Sequence, residues 1–392
     1  MDKKVFIFGC GISGATLARK LASHGWNVTI YEKNKYIGGN CYDFVNQDGV
    51  LVHKFGPHIF HTPYRDVFRF VKKFAKFNKY RHSVLCNTNN LIFPLPINFE
   101  SIKIIDPAHA TEIIHVLKSF YPDKTTITLD EMKIIDNYEV KKLYQFLYDN
   151  VYSNYTAKMW GVGIENVDPS VINRVKIILD EKNNYFPDDK YQGLPVEGYT
   201  KMIEKMVNHK NIKVVVNSPY ELHFINEKLF IWNGVKDAGS VDVTNTKVVY
   251  CGRVDELFDY KYQKLGFRSL KIQFQTFNQS SYQPAPVINY PSDPNFTRIT
   301  EYQKLTLQNN INKTTISHEY PGMWSEASTD FNTPYYPISN KENENIYHTY
   351  IKQIQSFNNF YLLGRLAQYK YFDMDDAIKN AFDLADKIIS GK

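Results

Sequence analysis

The feature that most limits what this chain can fold into stands near its start, where an apolar run leads directly into a glycine-rich turn. The run begins at Val5, and the glycines that follow it are Gly9, Gly11 and Gly14. A second apolar run, residues 28–31, ends at the acid Glu32. This order of strand, glycine-rich turn, helix and acid is typical of a βαβ unit that binds a dinucleotide.

Each part of this pattern has a physical role. Gly9 permits the tight turn, Gly11 lets the backbone approach a pyrophosphate, and Gly14 lets the helix pack closely on the strand. The pyrophosphate would lie at the N-terminus of the helix, where free N–H groups and the helix dipole favour an anion. Glu32 can accept hydrogen bonds from a ribose diol. The pattern predicts a dinucleotide site without identifying the dinucleotide.

A glycine pair further along the chain indicates which dinucleotide binds. Gly38 and Gly39 follow shortly after Glu32. A glycine pair alone favours a simple turn between two strands. Its position just after the ribose-binding acid is more typical of proteins that bind FAD than of NAD dehydrogenases, so we predict FAD as the cofactor.

Composition argues against several classes of protein. The 392 residues are enough for two or three domains. The sequence has no run of eighteen apolar residues and no signal-peptide pattern, so we expect no membrane span. The net charge of +6 is small and the basic residues are scattered, which argues against nucleic-acid binding. The four cysteines have neither paired nor metal-ligand spacing, which indicates reduced thiols in a cytoplasmic protein.

The rest of the chain divides into stretches of different periodicity. Apolar residues three or four apart predict helices over residues 107–120 and 130–180. Further helices are expected over residues 199–207 and 377–389. Residues 84–97 have the pattern of a β-hairpin that turns at Thr88, Asn89 and Asn90. Short strands, including residues 212–216 and 247–250, dominate residues 211–319 and predict an antiparallel sheet there.

The fold class that follows is α/β: a discontinuous Rossmann-like FAD-binding domain with an inserted helical-bundle domain and an antiparallel β-sheet domain. Residues 360–365 are expected to form a final strand that returns to the cofactor domain. We place the FAD-binding domain at residues 1–76, 188–254 and 352–392. The helical domain with a mobile loop takes residues 98–184, and the sheet domain takes residues 77–97 and 255–351.

Several distinctive blocks follow one another over nearly the whole chain: GPHIFHT (56–62), YTAKMWG (155–161), NNYF (183–186), YQGLP (191–195), GYT (198–200), residues 290–298, EY (319–320), PYYP (334–337) and GRLAQYKYFDM (364–374). In this order, the blocks resemble those of the bacterial UDP-galactopyranose mutases. Many blocks in one register are more specific than any single block.

The resemblance implies an isomerase that interconverts a UDP-hexopyranose, first of all UDP-galactopyranose, and its furanose form, a precursor of surface polysaccharide. In this family the flavin must be reduced, although no net electrons pass. Its N5 atom attacks the anomeric carbon, UDP leaves, the sugar ring opens and recloses through the 4-hydroxyl, and UDP returns. The expected cofactor is FAD in its reduced form, with NADPH or another reductant as activator. The expected partner is a UDP-sugar or another NDP-sugar, and family members often form homodimers.

The resemblance also assigns residues to the site. Arg174 matches the arginine of the family's mobile loop, and Arg298 matches the fixed arginine of the sheet domain. Both suit a diphosphate, because guanidinium groups bind it bidentately and stay protonated. Together with His58 they form the expected catalytic set. The expected substrate-binding residues are Tyr155, Thr156, Trp160, Tyr185, Asn289, Tyr320 and Tyr371. The expected cofactor-binding residues are Gly9, Gly11, Ser13, Gly14, Glu32, Lys33, Gly39, Asn40, His58, Ile59, His61, Gly252, Gly364, Arg365, Tyr371, Asp373 and Met374.

Several of these residues have a plainer explanation. Tyr155 and Trp160 would otherwise be core residues of the helical domain, and Tyr185 would be ordinary packing. His61 would be a buried histidine with its own partner, and Asp373 would cap the last helix.

The two histidines of the GPHIFHT block raise the question of a metal. His58 and His61 lie three residues apart, which would put both on one face of a helix. No third ligand follows at metal-binding spacing, and Gly56-Pro57 indicates a loop. We therefore expect no metal.

The chain departs from the family pattern at Met159, Arg253, Leu363, Gln368 and in the stretch after Arg174, which begins Val175-Lys176. These departures leave the sugar nucleotide open among UDP-galactose, UDP-N-acetylgalactosamine and a dTDP-6-deoxyhexose. Two other classes stand as alternatives: an FAD-dependent oxidoreductase related to amine oxidases, and a non-catalytic sugar-nucleotide binder. The arginine pair argues against the first, and the retained His58 argues against the second.

Overall fold

The structure of the protein is a computed structural model that describes residues 3–161, 163, 175–218, 220–225, 228–233, 240–309 and 312–391. Its strands are β1 (Lys4–Phe8), β2 (Asn27–Tyr31), β3 (Asp43–Val45), β4 (Leu51–His53), β5 (Phe60–Thr62), β6 (Val84–Thr88), β7 (Leu91–Leu95), β8 (Thr126–Ile127), β9 (Ile177–Ile178), β10 (Tyr191–Gly193), β11 (Ile212–Val215), β12 (Tyr220–Ile225), β13 (Lys228–Asn233), β14 (Ser240–Asp242), β15 (Lys247–Tyr250), β16 (Phe267–Phe277), β17 (Val287–Asn289), β18 (Arg298–Glu301), β19 (Thr314–Met323), β20 (Tyr336–Pro337) and β21 (Phe360–Leu362). Its α-helices are α1 (Ile12–Ser23), α2 (Arg65–Val71), α3 (Phe99–Ile105), α4 (Ala110–Phe120), α5 (Leu129–Lys133), α6 (Tyr138–Leu147), α7 (Asn154–Trp160), α8 (Tyr199–Val207), α9 (Tyr302–Thr306), α10 (Lys341–Ile354) and α11 (Met374–Ser390).

A five-stranded parallel sheet with the strand order β11-β2-β1-β15-β21 forms one half of the fold. Alternate residues of β1 point to opposite faces of the sheet, and both sets are apolar and buried. Helices α1, α8 and α11 cover one face, while α10 and the small sheet of β12, β13 and β14 cover the other. This burial on two sides explains why β1 reads as a continuous apolar run.

Parallel pairing brings the carboxyl ends of these strands to the same edge of the sheet. The turn at Gly9 follows β1, Glu32 follows β2, Gly252 follows β15 after one residue, and Gly364 follows β21 after one residue. Segments far apart in the chain therefore meet at one edge.

A second, seven-stranded sheet has the strand order β20-β16-β19-β18-β17-β6-β7. Its pairs are antiparallel apart from β17 and β6, which run parallel. The hairpin of β6 and β7 extends this sheet toward the helical region. There, α3 to α6 share a buried apolar cluster with the hairpin. A π-helical segment, Tyr148–Ser153, joins α6 to α7 without a break.

A carboxylate from a distant segment caps the N-terminus of α8. Asp43, which is 3% exposed, accepts the N–H of Tyr199 at 2.5 Å and the N–H of Thr200 at 2.9 Å. Capping groups satisfy N–H groups that the helix cannot pair itself. The Tyr199 hydroxyl in turn donates to the carbonyl oxygen of His58 at 3.0 Å. The cap therefore also supports a loop of the predicted site.

The structure confirms the predicted α/β class and the hairpin. Asn89 and Asn90 form its turn with φ values of +49° and +63°. The five parallel strands all fall within the segments assigned to the cofactor domain, whereas the exact domain boundaries stay a prediction. Among the described helices, none has the length and apolar composition that crossing a bilayer requires. All four cysteines have free thiols, as expected.

Two details of the prediction were wrong. Strands β11 and β15 lie in the stretch expected to form an antiparallel sheet, but they pair parallel with β2 and β1. The pattern within one strand does not reveal the direction of its partner. The second error concerns residues 177–178, which form strand β9 beside β8 although they lie in the expected helical stretch.

Replacement of Asp43 by alanine should destabilise the protein, because it leaves two N–H groups at a buried helix end without an acceptor. We expect the free energy of unfolding to fall by about 2 kcal/mol, measured by urea denaturation. Asp136→Ala is the matched control, since that carboxylate is 94% exposed and only pairs with Lys141. Equal unfolding midpoints for Asp43→Ala and the wild type would contradict the capping role.

Candidate active site

The turn after β1 is shaped by close contacts between main-chain atoms. Gly9 has a φ of +114°, and a Cβ atom there would lie 2.9 Å from the Cβ of Cys251. A Cβ atom on Gly14 would overlap the carbonyl oxygen of Gly9, so α1 can approach β1 this closely only without a side chain. The N–H of Gly38 donates to the carbonyl oxygen of Cys10 at 2.9 Å, which brings the second glycine pair against this turn.

The turn after β21 closes the same edge of the sheet. Gly364 has a φ of +91°, and a Cβ atom there would lie 3.0 Å from Oγ of Ser13. Its N–H donates to Oε1 of Gln368 at 2.9 Å, which fixes the turn. We call residues 9–14, 38–39, 252 and 364 the glycine cradle.

The cradle has the properties that a pyrophosphate requires. Helix α1 has Gly11 as its N-cap, with no capping side chain among the described residues and no acid in its first turn. The N–H groups of that turn are therefore available to an anion, and no acid of the turn itself opposes it. Larger residues in place of these glycines would crowd the cradle with side chains, and the cradle lies at the start of an uncapped helix. Both properties fit FAD.

Glu32 is held rigidly at the end of β2. Its side chain is buried, and its Oε2 accepts the N–H of Cys10 at 2.8 Å. Its Oε1 accepts both the main-chain N–H of Asn34, at 2.9 Å, and the side-chain amide of Asn34, at 2.8 Å. A carboxylate can accept about four hydrogen bonds, so capacity remains for a ribose hydroxyl. Lys33 is exposed and pairs with Glu256 at 3.1 Å, away from these contacts.

His58 is a neutral imidazole with a defined tautomer. Its Nδ1 lies 2.8 Å from the carbonyl oxygen of Gly56, which can only accept, so Nδ1 carries the proton. Its main-chain N–H donates to Nδ1 of His53 at 3.0 Å. Burial, and next the neighbouring His53, lower the pKa of His58 to about 4. The Nε2 atom is therefore left as a hydrogen-bond acceptor near neutral pH.

His61 has a structural partner as well as a place near the predicted site. Its Nδ1 lies 2.5 Å from Oδ2 of Asp189, and its ring stacks on Phe186 with 3.6 Å between ring centroids. Strand β5, which carries His61, pairs with β10 opposite Gln192. His61, whose side chain is 12% exposed, therefore has a partner of its own. Its predicted role in cofactor binding stays a prediction.

Arg298 is the cation at the centre of the predicted substrate site. It stands opposite Glu319 in the pairing of β18 with β19, and its Nε lies 3.4 Å from Oε2 of that carboxylate. Its Nη2 donates to the hydroxyl of Tyr155 at 2.5 Å. Burial opposes the charge of Arg298, but Glu319 and Tyr155 outweigh this effect, and its pKa lies well above the ordinary value. Burial raises the pKa of Glu319 although Arg298 opposes the rise.

Tyr336 connects Arg298 to the cofactor side of the molecule. The guanidinium of Arg365 lies 5.4 Å from the centroid of the Tyr336 ring. Burial raises the pKa of Tyr336, while the charges of Arg365 and Arg298 lower it. The ring of Tyr336 stacks on Tyr371, and the guanidinium of Arg365 lies 4.8 Å from the centroid of Tyr371. The hydroxyl of Tyr371 donates to Oδ1 of Asp373 at 2.9 Å.

Asp373 is the N-cap residue of α11 by position, but its side chain makes no capping hydrogen bond. Its contact with Tyr371 instead directs the carboxylate toward the group of Tyr336 and Arg365. Met374, the first residue of α11, packs against the core below α1. Asn40 reaches the same region, since its Nδ2 donates to the carbonyl oxygen of Pro334 at 3.3 Å.

Helix α7 lies against the large sheet and presents the predicted uridine-binding residues. Tyr155 contacts Arg298, Thr156 is buried, and Trp160 at the end of the helix is half-buried. Arg268 of β16 holds this end, because its Nε donates to the carbonyl oxygen of Met159 at 2.6 Å and its Nη2 to that of Lys158 at 3.0 Å.

The remaining predicted site residues lie in different surroundings. The Oδ1 atom of Asn289 is buried without a hydrogen-bond partner among the described residues, which suits a ligand contact. The ring of Tyr185 packs edge-to-face on His82. Tyr320 follows Glu319 directly in β19, so its side chain points to the opposite face of the strand from Arg298. Ile59 is partly buried against a small apolar cluster. Arg174 lies outside the described residues.

Four residues of this site were missed by the sequence analysis: His53, Arg268, Glu319 and Tyr336. Glu319 and Tyr336 stand in blocks that carried the family resemblance. Strand alternation could have separated Glu319 from Tyr320, had the pairing of β18 with β19 been known. Arg268 and His53 act through main-chain carbonyl and N–H groups, for which the sequence gives no signal.

One group with metal-ligand chemistry lies elsewhere, in the helical region. Asp106, His109 and Glu139 bring their ligand atoms within 4.8 Å of one another. Lys142 lies 3.6 Å from Asp106 and 3.7 Å from Glu139. The ammonium already supplies the positive charge that this group attracts, so the contacts form an ion-pair network.

Known proteins resemble this chain in sequence and in fold. Residues 150–371 match the family model described as UDP-galactopyranose mutase, and residues 7–74 match the model described as NAD(P)-binding Rossmann-like domain. The chain is 41% identical over 390 residues to a UDP-galactopyranose mutase of Mycoplasma genitalium, covering 98% of this chain and 95% of that protein. It is 30% identical over 389 residues to a dTDP-fucopyranose mutase of Escherichia coli, covering 97% of each chain. A crystal structure of reduced UDP-galactopyranose mutase shares the fold, with a TM-score of 0.70 at 16% identity over 99% of this chain and 94% of that one.

The low pKa of His58 gives a test by NMR. The unfolded chain binds a proton at this histidine near pH 6.5, whereas the folded protein binds it only near pH 4. This difference favours the unfolded state as the pH falls, so the contribution of His58 to stability declines between those values. In ¹⁵N-histidine-labelled protein, with His58→Gln to assign the signal, we expect a neutral Nδ1–H imidazole down to about pH 5. A midpoint near 6.5 would contradict the buried environment.

Proposed function

Because this chain belongs to the family of UDP-galactopyranose mutases, and is thus an isomerase of sugar nucleotides, we propose that it interconverts UDP-galactopyranose and its furanose form. The observation that carries the proposal is the position of Arg298. Its partly buried guanidinium is held by Glu319 and Tyr155, and its charge and that of Arg365, on the cofactor side, both act on Tyr336. A cation so placed would meet a leaving diphosphate beside the cofactor.

The family and the fold imply FAD, and the glycine cradle fits it. When bound in its reduced form, which NADPH or another reductant would restore, FAD supplies the nucleophilic N5 atom for the anomeric carbon. The N–H groups at the start of α1 would hold the pyrophosphate, and Glu32 would hold the ribose diol.

The departing UDP carries the charge that the site must stabilise. Arg298 is fixed before the reaction starts, so its charge costs no reorganisation when the diphosphate leaves. Tyr155, Thr156 and Trp160 would form the wall of the uridine pocket, and Arg174 would supply a second cation.

His58 would act without taking a charge. Its Nδ1–H is committed to the Gly56 carbonyl, so its Nε2 can accept a hydrogen bond from a sugar hydroxyl. Because the imidazole of His58 is neutral, the local positive charge comes from the guanidinium groups of Arg365 and Arg298. The site would therefore concentrate its charge on the diphosphate rather than on the sugar.

The identity of the sugar rests on the similarity to named relatives. The similarity at 41% identity to a UDP-galactopyranose mutase favours UDP-galactose. The similarity at 30% identity to a dTDP-fucopyranose mutase keeps a dTDP-6-deoxyhexose as the second candidate. UDP-N-acetylgalactosamine, homodimer formation and a cytoplasmic location stay predictions.

Product analysis tests the proposed substrate. The FAD-loaded protein is incubated with UDP-galactose, UDP-N-acetylgalactosamine or dTDP-fucose, with and without dithionite, and the nucleotides are separated by chromatography. We expect furanose product from UDP-galactose only with reduced flavin, and no stoichiometric consumption of the reductant. Turnover by oxidised flavin with reduction of an acceptor would instead indicate an oxidoreductase.

Replacement of Arg298 by alanine should lower kcat/KM by roughly 10²-fold or more, because it removes a preorganised cation from the leaving group. The measurement is the initial rate of furanose formation under reducing conditions. Arg69→Ala is the matched control, since Arg69 is exposed on α2 and should leave the rate unchanged. Normal turnover by Arg298→Ala would show that this residue does not bind the diphosphate.

A further inference from the structure

Lys158 makes a contact that the proposed chemistry does not use. It lies in α7, and its Nζ donates to the carbonyl oxygens of Tyr290 and Phe296, each at 2.8 Å, and to that of Asp293. A lysine ammonium has three N–H groups, so all of them are occupied by main-chain acceptors. A lysine that merely extends into solvent from a helix surface would not donate to three carbonyl oxygens of one loop.

These carbonyls belong to the loop of residues 290–297, which joins β17 to β18. The strand before the loop ends at Asn289, and the strand after it begins at Arg298. The loop is closed by a hydrogen bond of 2.8 Å from the N–H of Tyr290 to the carbonyl oxygen of Thr297. The ammonium therefore sits inside a loop whose two ends carry residues of the predicted substrate site.

The same helix carries the predicted uridine residues. Tyr155 lies one turn before Lys158, and its hydroxyl receives the hydrogen bond from Arg298. Lys158 thus joins the element that carries Tyr155 to the loop that leads into Arg298. The 2.5 Å contact between the side chains of Tyr155 and Arg298 requires that α7 and the loop stay in a fixed relative position.

We propose that Lys158 is a positioning residue of the nucleotide site, which fixes α7 to the loop of residues 290–297 so that Tyr155 and Arg298 face the same ligand. The inference rests on the proposed function, since it assigns the ligand as the UDP part of the substrate. Lys158 does not contact the reacting atoms in this role. Glu319 holds Arg298 independently from β19, so the loss of Lys158 weakens nucleotide binding more than the chemical step.

Lysine is suited to this position by its shape. Its ammonium is a compact charge that can serve three acceptors converging on one point, whereas the planar guanidinium of arginine spreads its donors in a fork. The partial burial of Lys158 lowers its pKa to about 8, and Asp293 opposes this effect, so the ammonium is charged at neutral pH. Hydrogen bonds from a charged donor are about twice as strong as neutral ones.

The experiment compares FAD-loaded wild type with Lys158→Met, which keeps the length of the side chain but removes its donors. By isothermal titration, we expect the Kd for UDP to rise about 10-fold, as for the loss of one or two charge-assisted hydrogen bonds. The KM for UDP-galactose should rise by a similar factor, while kcat changes less than about threefold. Lys158→Arg should recover part of the affinity. A Kd for UDP within twofold of the wild type would overturn the proposal.

Hydrogen–deuterium exchange reads the contact itself, independently of any ligand. In Lys158→Met, the amides of residues 290–297 should exchange faster, while those of the parallel sheet should keep their wild-type rates and so show that the protein is folded. Lys141→Met is the matched control, because Lys141 is exposed on α6 and pairs with the exposed Asp136. Unchanged exchange in the loop would overturn the proposed contact.

The two assays also separate this inference from the proposed function. If the wild type does not bind UDP, the proposed function fails, and with it the role of Lys158 in the nucleotide site. If the wild type binds UDP and turns over UDP-galactose while Lys158→Met matches it in affinity and exchange, only the inference about Lys158 fails.

Discussion

The close approach of the backbone to itself at the end of β1 is the constraint on which the rest of the structure depends. A Cβ atom on Gly14 would overlap the carbonyl oxygen of Gly9, and a Cβ atom on Gly364 would press on Ser13. The parallel sheet makes these contacts unavoidable, because it brings the carboxyl ends of β1, β15 and β21 to one edge. Helix α1 starts at this edge with no capping side chain among the described residues, and free main-chain N–H groups at a helix start are the chemistry that a pyrophosphate requires.

The second organising principle is the distribution of charge around that edge. Arg298 keeps its charge although it is partly buried, because Glu319 and Tyr155 hold it. His58 loses the capacity for charge near neutral pH, because burial and His53 lower its pKa. Tyr336, at the edge of the large sheet, contacts Arg365 and Tyr371 of the segment that follows β21. The predicted site thus combines a charged guanidinium at Arg298 with a neutral imidazole at His58.

The sequence predicts those features whose chemistry requires particular residue types in a fixed order along the chain. The glycine turn, the helix behind it and Glu32 could be predicted because a dinucleotide needs those residue types in that order. The hairpin at Asn89 and Asn90 could be predicted because these residues tolerate positive φ. The resemblance to a family then added Tyr155 and Arg298, which the structure brings into contact.

The features that could not be predicted depend on which strands pair with each other, and no local sequence pattern encodes this pairing. Strands β11 and β15 carry the same apolar signal in a parallel as in an antiparallel sheet, so their partners could not be read from the sequence. Glu319 could not be placed beside Arg298 until β18 and β19 were seen to pair.

The visible absorption spectrum of the purified protein, with the flavin quantified after denaturation, tests the account most directly. The glycine cradle predicts a yellow protein that holds one FAD per chain, or that takes up this amount when FAD is added. A colourless protein that does not bind added FAD would contradict the account, because Arg298 would then have no cofactor beside which to hold a leaving diphosphate.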